Sequence, residues 1–197
     1  WTFSGGTNYL DQSGSVPIVI STVPLTATTT TIASSGTPST YGTAVTFTAT
    51  VTAAAGSAAP TGTVEFFDGA TSLGIDSAAN STGTGTSTWS LTTASLTAGA
   101  HAAIRAVYTA TGNFTGSTST NMTQTVNQKA LTGNFTAANK PYDGSTAATV
   151  LTRTLTGVLA GDVVTVSLTG GTATFSTASA GNNKTVTLTG ATLTGTA

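Results

Sequence analysis

The residues able to do chemistry are few and far apart. His101 is the single histidine, and the acids are Asp11, Glu65, Asp68, Asp76, Asp143 and Asp162. Nucleophilic hydrolysis needs a base, an acid that orients it and a strained turn carrying the nucleophile. No Gly-x-Ser-x-Gly elbow accompanies His101. Hydrolysis by paired carboxylates needs two acids facing one another across a cleft. The six acids are scattered, mostly in turn-like stretches. Calcium needs clustered oxygen ligands, and no Asp-rich loop occurs. A Lys–Asn isopeptide crosslink needs a neighbouring carboxylic acid. Lys184, Asn182, Asn183 and Asp162 supply its ingredients, although solvated loop residues are the plainer reading. Asp143, followed by Gly144, is expected to cap its own turn through the backbone. Five Asn-x-Ser/Thr sequons, at Asn80, Asn113, Asn121, Asn134 and Asn183, are potential glycan acceptors, but a Thr-rich chain generates sequons by chance. The expectation is therefore a protein that is not an enzyme, with no catalytic, cofactor-binding or metal-binding residue.

The elements that hold these residues read as strands. Helical periodicity is missing, whereas period-two alternation is everywhere. In Ala44–Thr52, the residues Val45, Phe47, Ala49 and Val51 share one face and Thr fills the other. Gly62–Phe67 runs into Asp68-Gly69, a hairpin-type turn signal. Ser87–Leu91, Ala102–Tyr108, Ala148–Leu151, Val163–Leu168, Ala173–Phe175 and Lys184–Leu188 alternate in the same way. Tyr108, Trp89, Phe47 and Phe66 fall at inward positions and are expected in a core, since a sandwich needs large inward side chains. Short strands between Gly, Asn, Asp and Ser clusters point to an all-β fold of tandem, immunoglobulin-like β-sandwiches.

Composition narrows the function classes. Of 197 residues, 38% are hydrophobic and 6% charged, and the formal net charge is −1. Thr, the dominant residue, suits a pleated surface because of its branched Cβ. Near-neutrality gives no electrostatic reason to expect nucleic acid or an acidic membrane as partner. No apolar run is long enough for a helix to enter a membrane. With Cys absent, no disulfide framework exists. Trp1 is not an initiator Met, so a mature product or a piece of something longer is expected.

Three sections can be separated: an arm over 1–24, about seven strands over 25–127, and a smaller β unit over 128–197. The joint at Asn127-Gln128-Lys129 is short and not Gly/Pro-rich, so limited bending is expected there. The middle section carries Ser39-Thr40-Tyr41-Gly42, Val45–Val51, Pro60–Gly69, Leu73-Gly74, Leu96–His101, Ala106-Val107-Tyr108, Gly112-Asn113-Phe114 and Gly116–Ser119. In that order these resemble the bacterial Ig-like repeats of large surface proteins. The resemblance puts His101 in a short turn before a strand, with a structural role. The last section carries Lys140-Pro141-Tyr142-Asp143-Gly144-Ser145-Thr146, Leu155–Val158, Ala160-Gly161-Asp162, Ala173–Phe175 and Gly181–Val186. It resembles the YDG repeat of bacterial haemagglutinin-type adhesins. Both resemblances imply extracellular stalk or adhesin repeats at the bacterial surface, not enzymes.

YDG-type repeats finish with a Gly-Asn-Tyr segment and one more strand, which residues 128–197 lack. Residues of that type occur in the arm, as Gly5–Leu10, Ser13-Gly14-Ser15 and then Val16-Pro17-Ile18-Val19-Ile20. The expectation is that the arm of one copy completes the last unit of another, by covalent continuation or by strand donation. A bare sheet edge and core favour such completion. Val16, Ile18, Ile20 and Tyr9 on the arm, with Val186 and Leu188 on the acceptor, are the expected inter-copy interface, and Pro17 belongs on the edge side. A rival reading gives the arm to the following Ig-like domain, and another leaves it ordered against a preceding repeat. The expected partners are other copies or adjacent repeats. The alternative function is a binding module in which sandwich-end loops recognise a glycan or host protein, a reading that an exposed aromatic cluster on those loops would favour.

Overall fold

The computed structural model describes residues 2–18, 20, 23–81, 83–162 and 166–195. The arm holds β1 (Thr2–Phe3) and β2 (Gln12–Ser13). A first module follows: β3 (Thr28–Ser34), β4 (Ser39–Thr40), β5 (Val45–Ala53), β6 (Thr61–Asp68), β7 (Thr71–Asp76), β8 (Asn80–Ser81), β9 (Thr86–Thr93), β10 (Gly99–Thr111), β11 (Ser117–Thr118) and β12 (Met122–Asn127). A second module holds β13 (Thr132–Ala137), β14 (Ala147–Ala148), β15 (Val150–Thr156), β16 (Ser167–Phe175) and β17 (Val186–Thr194). The fold is all-β.

In the first module, one sheet has the order β3-β5-β9-β8 and the other β4-β12-β10-β6-β7, with β11 also on β10. Alternation decides what lies between them. Val45, Phe47, Ala49 and Val51 of β5 are buried, and the threonines between them point away. Val64 and Phe66 of β6 and Ile104, Ala106 and Tyr108 of β10 meet them from the facing sheet. Burial of each large side chain stabilises the fold by roughly 1.5–3 kcal/mol. Trp89 and Tyr108 lie 5.3 Å apart with their rings tilted, and the Tyr108 hydroxyl donates to the Thr61 carbonyl at 2.6 Å. The four aromatics expected inside are all inside.

Polar side chains share this core: Thr30, Ser87, Ser119 and Gln124 are all buried. Gln124 of β12 is fully buried. Its Nε2 donates to the carbonyls of Gly36 and Thr125, both at 3.0 Å, and the Ser34 hydroxyl donates to its Oε1 at 2.6 Å. A buried amide is tolerated when its groups are paired, and here the pairing fixes the 34–39 connection to β12.

The second module is thinner. β13 pairs with β15, and β14-β16-β17 form a separate sheet. Gly133 lets the two sheets close, since a Cβ there would meet Leu168 Cδ2 at 3.0 Å. Arg153 Nε reaches across to the Gly170 carbonyl at 2.9 Å. Among the described residues, Ala173 is the one buried hydrophobic side chain of this module. Phe135, Leu155, Phe175, Val186 and Leu188 are only half-buried. Of the strand expected over Val163–Leu168, residues 163–165 lie outside the described residues, and β16 starts at Ser167.

The arm differs from its sequence reading. Instead of a strand over Val16–Ile20, it forms a two-strand hairpin of β1 on β2, with Thr2 opposite Ser13 and Phe3 opposite Gln12. Residues 16–18 and 20 belong to no strand, and Val19 lies outside the described residues. A strand is stable only when something accepts its ladder and its apolar face. Within one chain, residues 16–18, 20 and 23–25 belong to no strand, and the next bridge is that of Thr26 to Phe114.

Candidate inter-copy interface

The chemistry-bearing residues do not converge. His101 sits in β10 opposite Gln124, inside a strand rather than in a turn. Its Nδ1 lies 2.6 Å from Asp68 Oδ2 and its Nε2 2.9 Å from the Thr97 carbonyl. A carbonyl can only accept, so Nε2 must carry a proton, and neither nitrogen keeps a lone pair free to abstract one. The Thr97 carbonyl and the Asp68 carboxylate raise the imidazole pKa against the opposing effect of burial. The role of His101 is structural: it ties the 97–101 segment to the end of β6.

Each acid has its own partner, and the partners do not converge. Asp11 accepts from the Gly5 N–H, Glu65 from Ser72, and Asp76 from the N–H groups of Ala78 and Ser90. Asp143 accepts from the Ser145 N–H at 2.9 Å and from Lys140 Nζ at 2.7 Å. Lys140 and Ser145 hold its carboxyl down at about 2. The Asp-Gly turn thus closes through its own backbone, with Gly144 at φ 71°. No group of three His, Cys, Asp or Glu side chains among the described residues could hold a metal ion. The isopeptide ingredients are not brought together. Lys184 donates to the carbonyl and hydroxyl of Thr177 and to Ser179, whereas the Tyr41 hydroxyl donates to Asp162 at 3.3 Å. All five sequon asparagines are exposed.

The Tyr41–Asp162 bond joins the two modules. Beside it, Leu159 rests on Gly42, where an added Cβ would fall 2.3 Å from Leu159 Cδ1. Burial and Asp162 together raise the Tyr41 pKa. A cleft of about 470 Å³ at this junction is lined by Tyr41, Thr97, Leu131, Leu159, Val166 and Leu193 among others. At the opposite end of the second module, a cavity of about 780 Å³ opens between its sheets, against Phe135, Ala137, Tyr142, Phe175, Lys184 and Val186.

The expected interface residues divide into two apolar surfaces. On the arm, Tyr9 is 75% exposed, Val16 77%, Ile18 83% and Ile20 93%. On the second module, Val186 and Leu188 line the inner face of β17 and stay half-buried. They continue into Ala191 and Leu193, a row opposite Phe175, Ala173, Gly170 and Leu168 of β16. The outer edge of β17 pairs with no strand among the described residues. Sequence reasoning missed the Gln124 network, the Tyr41–Asp162 bond and the β1–β2 hairpin. Tyr41, Gly42 and Asp162 were each read as part of a motif, but not as partners across the junction.

Residues 30–127 match the family model of the bacterial Ig-like domain (group 3), and residues 127–197 match that of the YDG domain. The chain is a bacterial Ig-like sandwich of group 3 followed by a YDG domain. Together the two domains fit a bacterial surface or adhesin-like protein. No curated protein and no solved structure matches the chain. No helix among the described residues is long and apolar enough to cross a membrane.

Proposed function

We propose that this chain is a structural repeat of an extracellular bacterial fibre or adhesin stalk, without enzymatic activity. In it, modules join end to end and the arm of one copy completes the YDG domain of another. The observation that carries this reading is a pair of uncovered surfaces that suit one another. Among the described residues, the outer edge of β17 in the YDG domain pairs with no strand and carries a half-buried apolar row, and Val16, Ile18 and Ile20 of the arm lie exposed at alternate positions outside any strand. Adding a strand satisfies edge donors and acceptors by ladder bonds and covers the row with alternate side chains. Each of Val16, Ile18 and Ile20 would contribute roughly 1.5–3 kcal/mol on full burial. The partner is therefore another copy or an adjacent repeat.

Size-exclusion chromatography and electron microscopy test this on the 197-residue chain, beside a form lacking residues 1–24 and a Leu188→Asp form. Fibres or oligomers from the full chain, lost in both variants, are the expected result. Monomers from all three would refute donation between free chains.

A second reading has one observation in its favour. Tyr142 is 71% exposed beside the far cavity, and an exposed ring next to amide side chains is a surface on which a sugar can stack. Glycan-array binding abolished by Tyr142→Ala would support recognition by this end.

A further inference from the structure

The two domains have distinct ends, and the strands of each run between them. The chain enters the Ig-like domain where Thr26 exchanges backbone bonds with Asn113 and Thr115. From there β3 runs about 20 Å toward the junction, where the Tyr41 N–H donates to the Asn127 carbonyl and the Tyr41 ring meets Asp162. The entry end and the junction are therefore opposite poles of the sandwich. In the YDG domain, β17 starts at Val186 in the far cavity and finishes with Leu193 in the junction cleft. The far cavity and the entry end thus lie at opposite ends of the two-domain unit.

Direction follows from this, given the end-to-end joining proposed above. A following copy stacked in line presents its entry end to the far cavity of the copy before it. Its residue 25 then stays outside, and the arm reaches inward with decreasing residue number. We propose that the arm enters the YDG domain from the far end and pairs with the free edge of β17 in antiparallel fashion. Val16 then lies near Leu193 and Ile18 near Ala191; the inward face of β17 shifts by one residue at Gly190 (φ 70°), so that, with a one-residue bulge there, Ile20 lies near Leu188. Residues 16–25 extended span about 30 Å and the nine residues of β17 about 26 Å, so the two lengths agree. Antiparallel ladders are also slightly the more stable per residue. The same direction carries the β1–β2 hairpin, with Phe3, Tyr9 and Leu10 exposed, toward the acceptor's junction cleft. The opposite direction would fold the following Ig-like domain back along the preceding one.

Because the chain contains no cysteine, paired cysteines can read the direction. A disulfide forms only when the two Cα atoms approach to about 4.4–6.8 Å. Antiparallel pairing brings Ser15 next to Thr194 and Val23 next to Thr185, all four directed away from the core. S15C/T194C and V23C/T185C chains, oxidised after assembly, should give covalent ladders on non-reducing gels. Their yield should exceed that of the crossed pairs S15C/T185C and V23C/T194C at least tenfold. Ladders from the crossed pairs instead would overturn the direction and leave strand donation standing. Fibres without ladders in any pair would overturn β17 as the acceptor edge. Chains that form neither would sink the underlying reading and the direction with it.

Discussion

At the residue scale, the polar side chains act as clips whose strength depends on pH. His101 has two acceptors, the Thr97 carbonyl and Asp68, so the doubly protonated ring is favoured and its folded pKa lies above the unfolded value near 6.5. Its contribution is fully present below that unfolded value and disappears as pH rises through the folded one. His101→Ala should cost about 1–3 kcal/mol in acid, with the gap to the unaltered chain closing at alkaline pH. Thermal melts across pH measure this, and a gap that stays constant would contradict it. Asp143 works in the other direction. Its carboxyl falls from 3.8 to about 2, so its contribution is present above the upper value and lost as pH falls through the lower. Asp143→Asn should flatten the acid limb of the YDG domain's stability curve, as tryptophan-independent probes such as tyrosine or NMR signals would record. The role of Asp143 was legible in the sequence, because an Asp-Gly turn bonds to its own backbone. The partner of His101 was not, because Asp68 lies 33 positions away and alternation assigns a face, not a neighbour.

At the element scale, alternation located the Ig-like core. Val45, Phe47, Ala49 and Val51 face inward because a strand turns each second side chain the same way. It gave no hint of Gln124, since a buried amide looks like any polar residue until its partners are assembled. Gln124→Ala should cost about 1–3 kcal/mol by removing the buried amide that bonds to Ser34, Gly36 and Thr125. Chemical denaturation with an unchanged m-value would register that loss, and a neutral result would mean that water replaces the amide. The same alternation marked Val186 and Leu188 as inward, yet it carries no information on whether anything covers them. Cover is a property of the neighbouring sheet, and in the YDG domain that sheet is two strands wide among the described residues. Val16–Ile20 illustrates the converse: its pattern is that of a strand, but a strand needs a partner's ladder, and its own chain supplies none to the described residues.

At the scale of the whole molecule, surface chemistry sets how copies would meet in the proposed assembly. Six acids against five bases leave a net charge of −1, so association has little electrostatic component to be screened. Assembly should therefore persist from about 0.05 to about 1 M salt, a range over which the Debye length shrinks from more than 10 Å to about 3 Å. Light scattering across that range checks this, and dissolution at high salt would point to ion pairs instead. The all-β class and the two-domain order were readable from motifs. The poles of the domains were not, because they depend on which strand ends share the Tyr41–Asp162 junction. The most direct test of arm-to-domain completion is hydrogen exchange on the form lacking residues 1–24, with and without a peptide of those residues. The account predicts new protection of the β17 amides, Val186 to Thr194, when the peptide is added. Unchanged exchange along β17 at saturating peptide would contradict it.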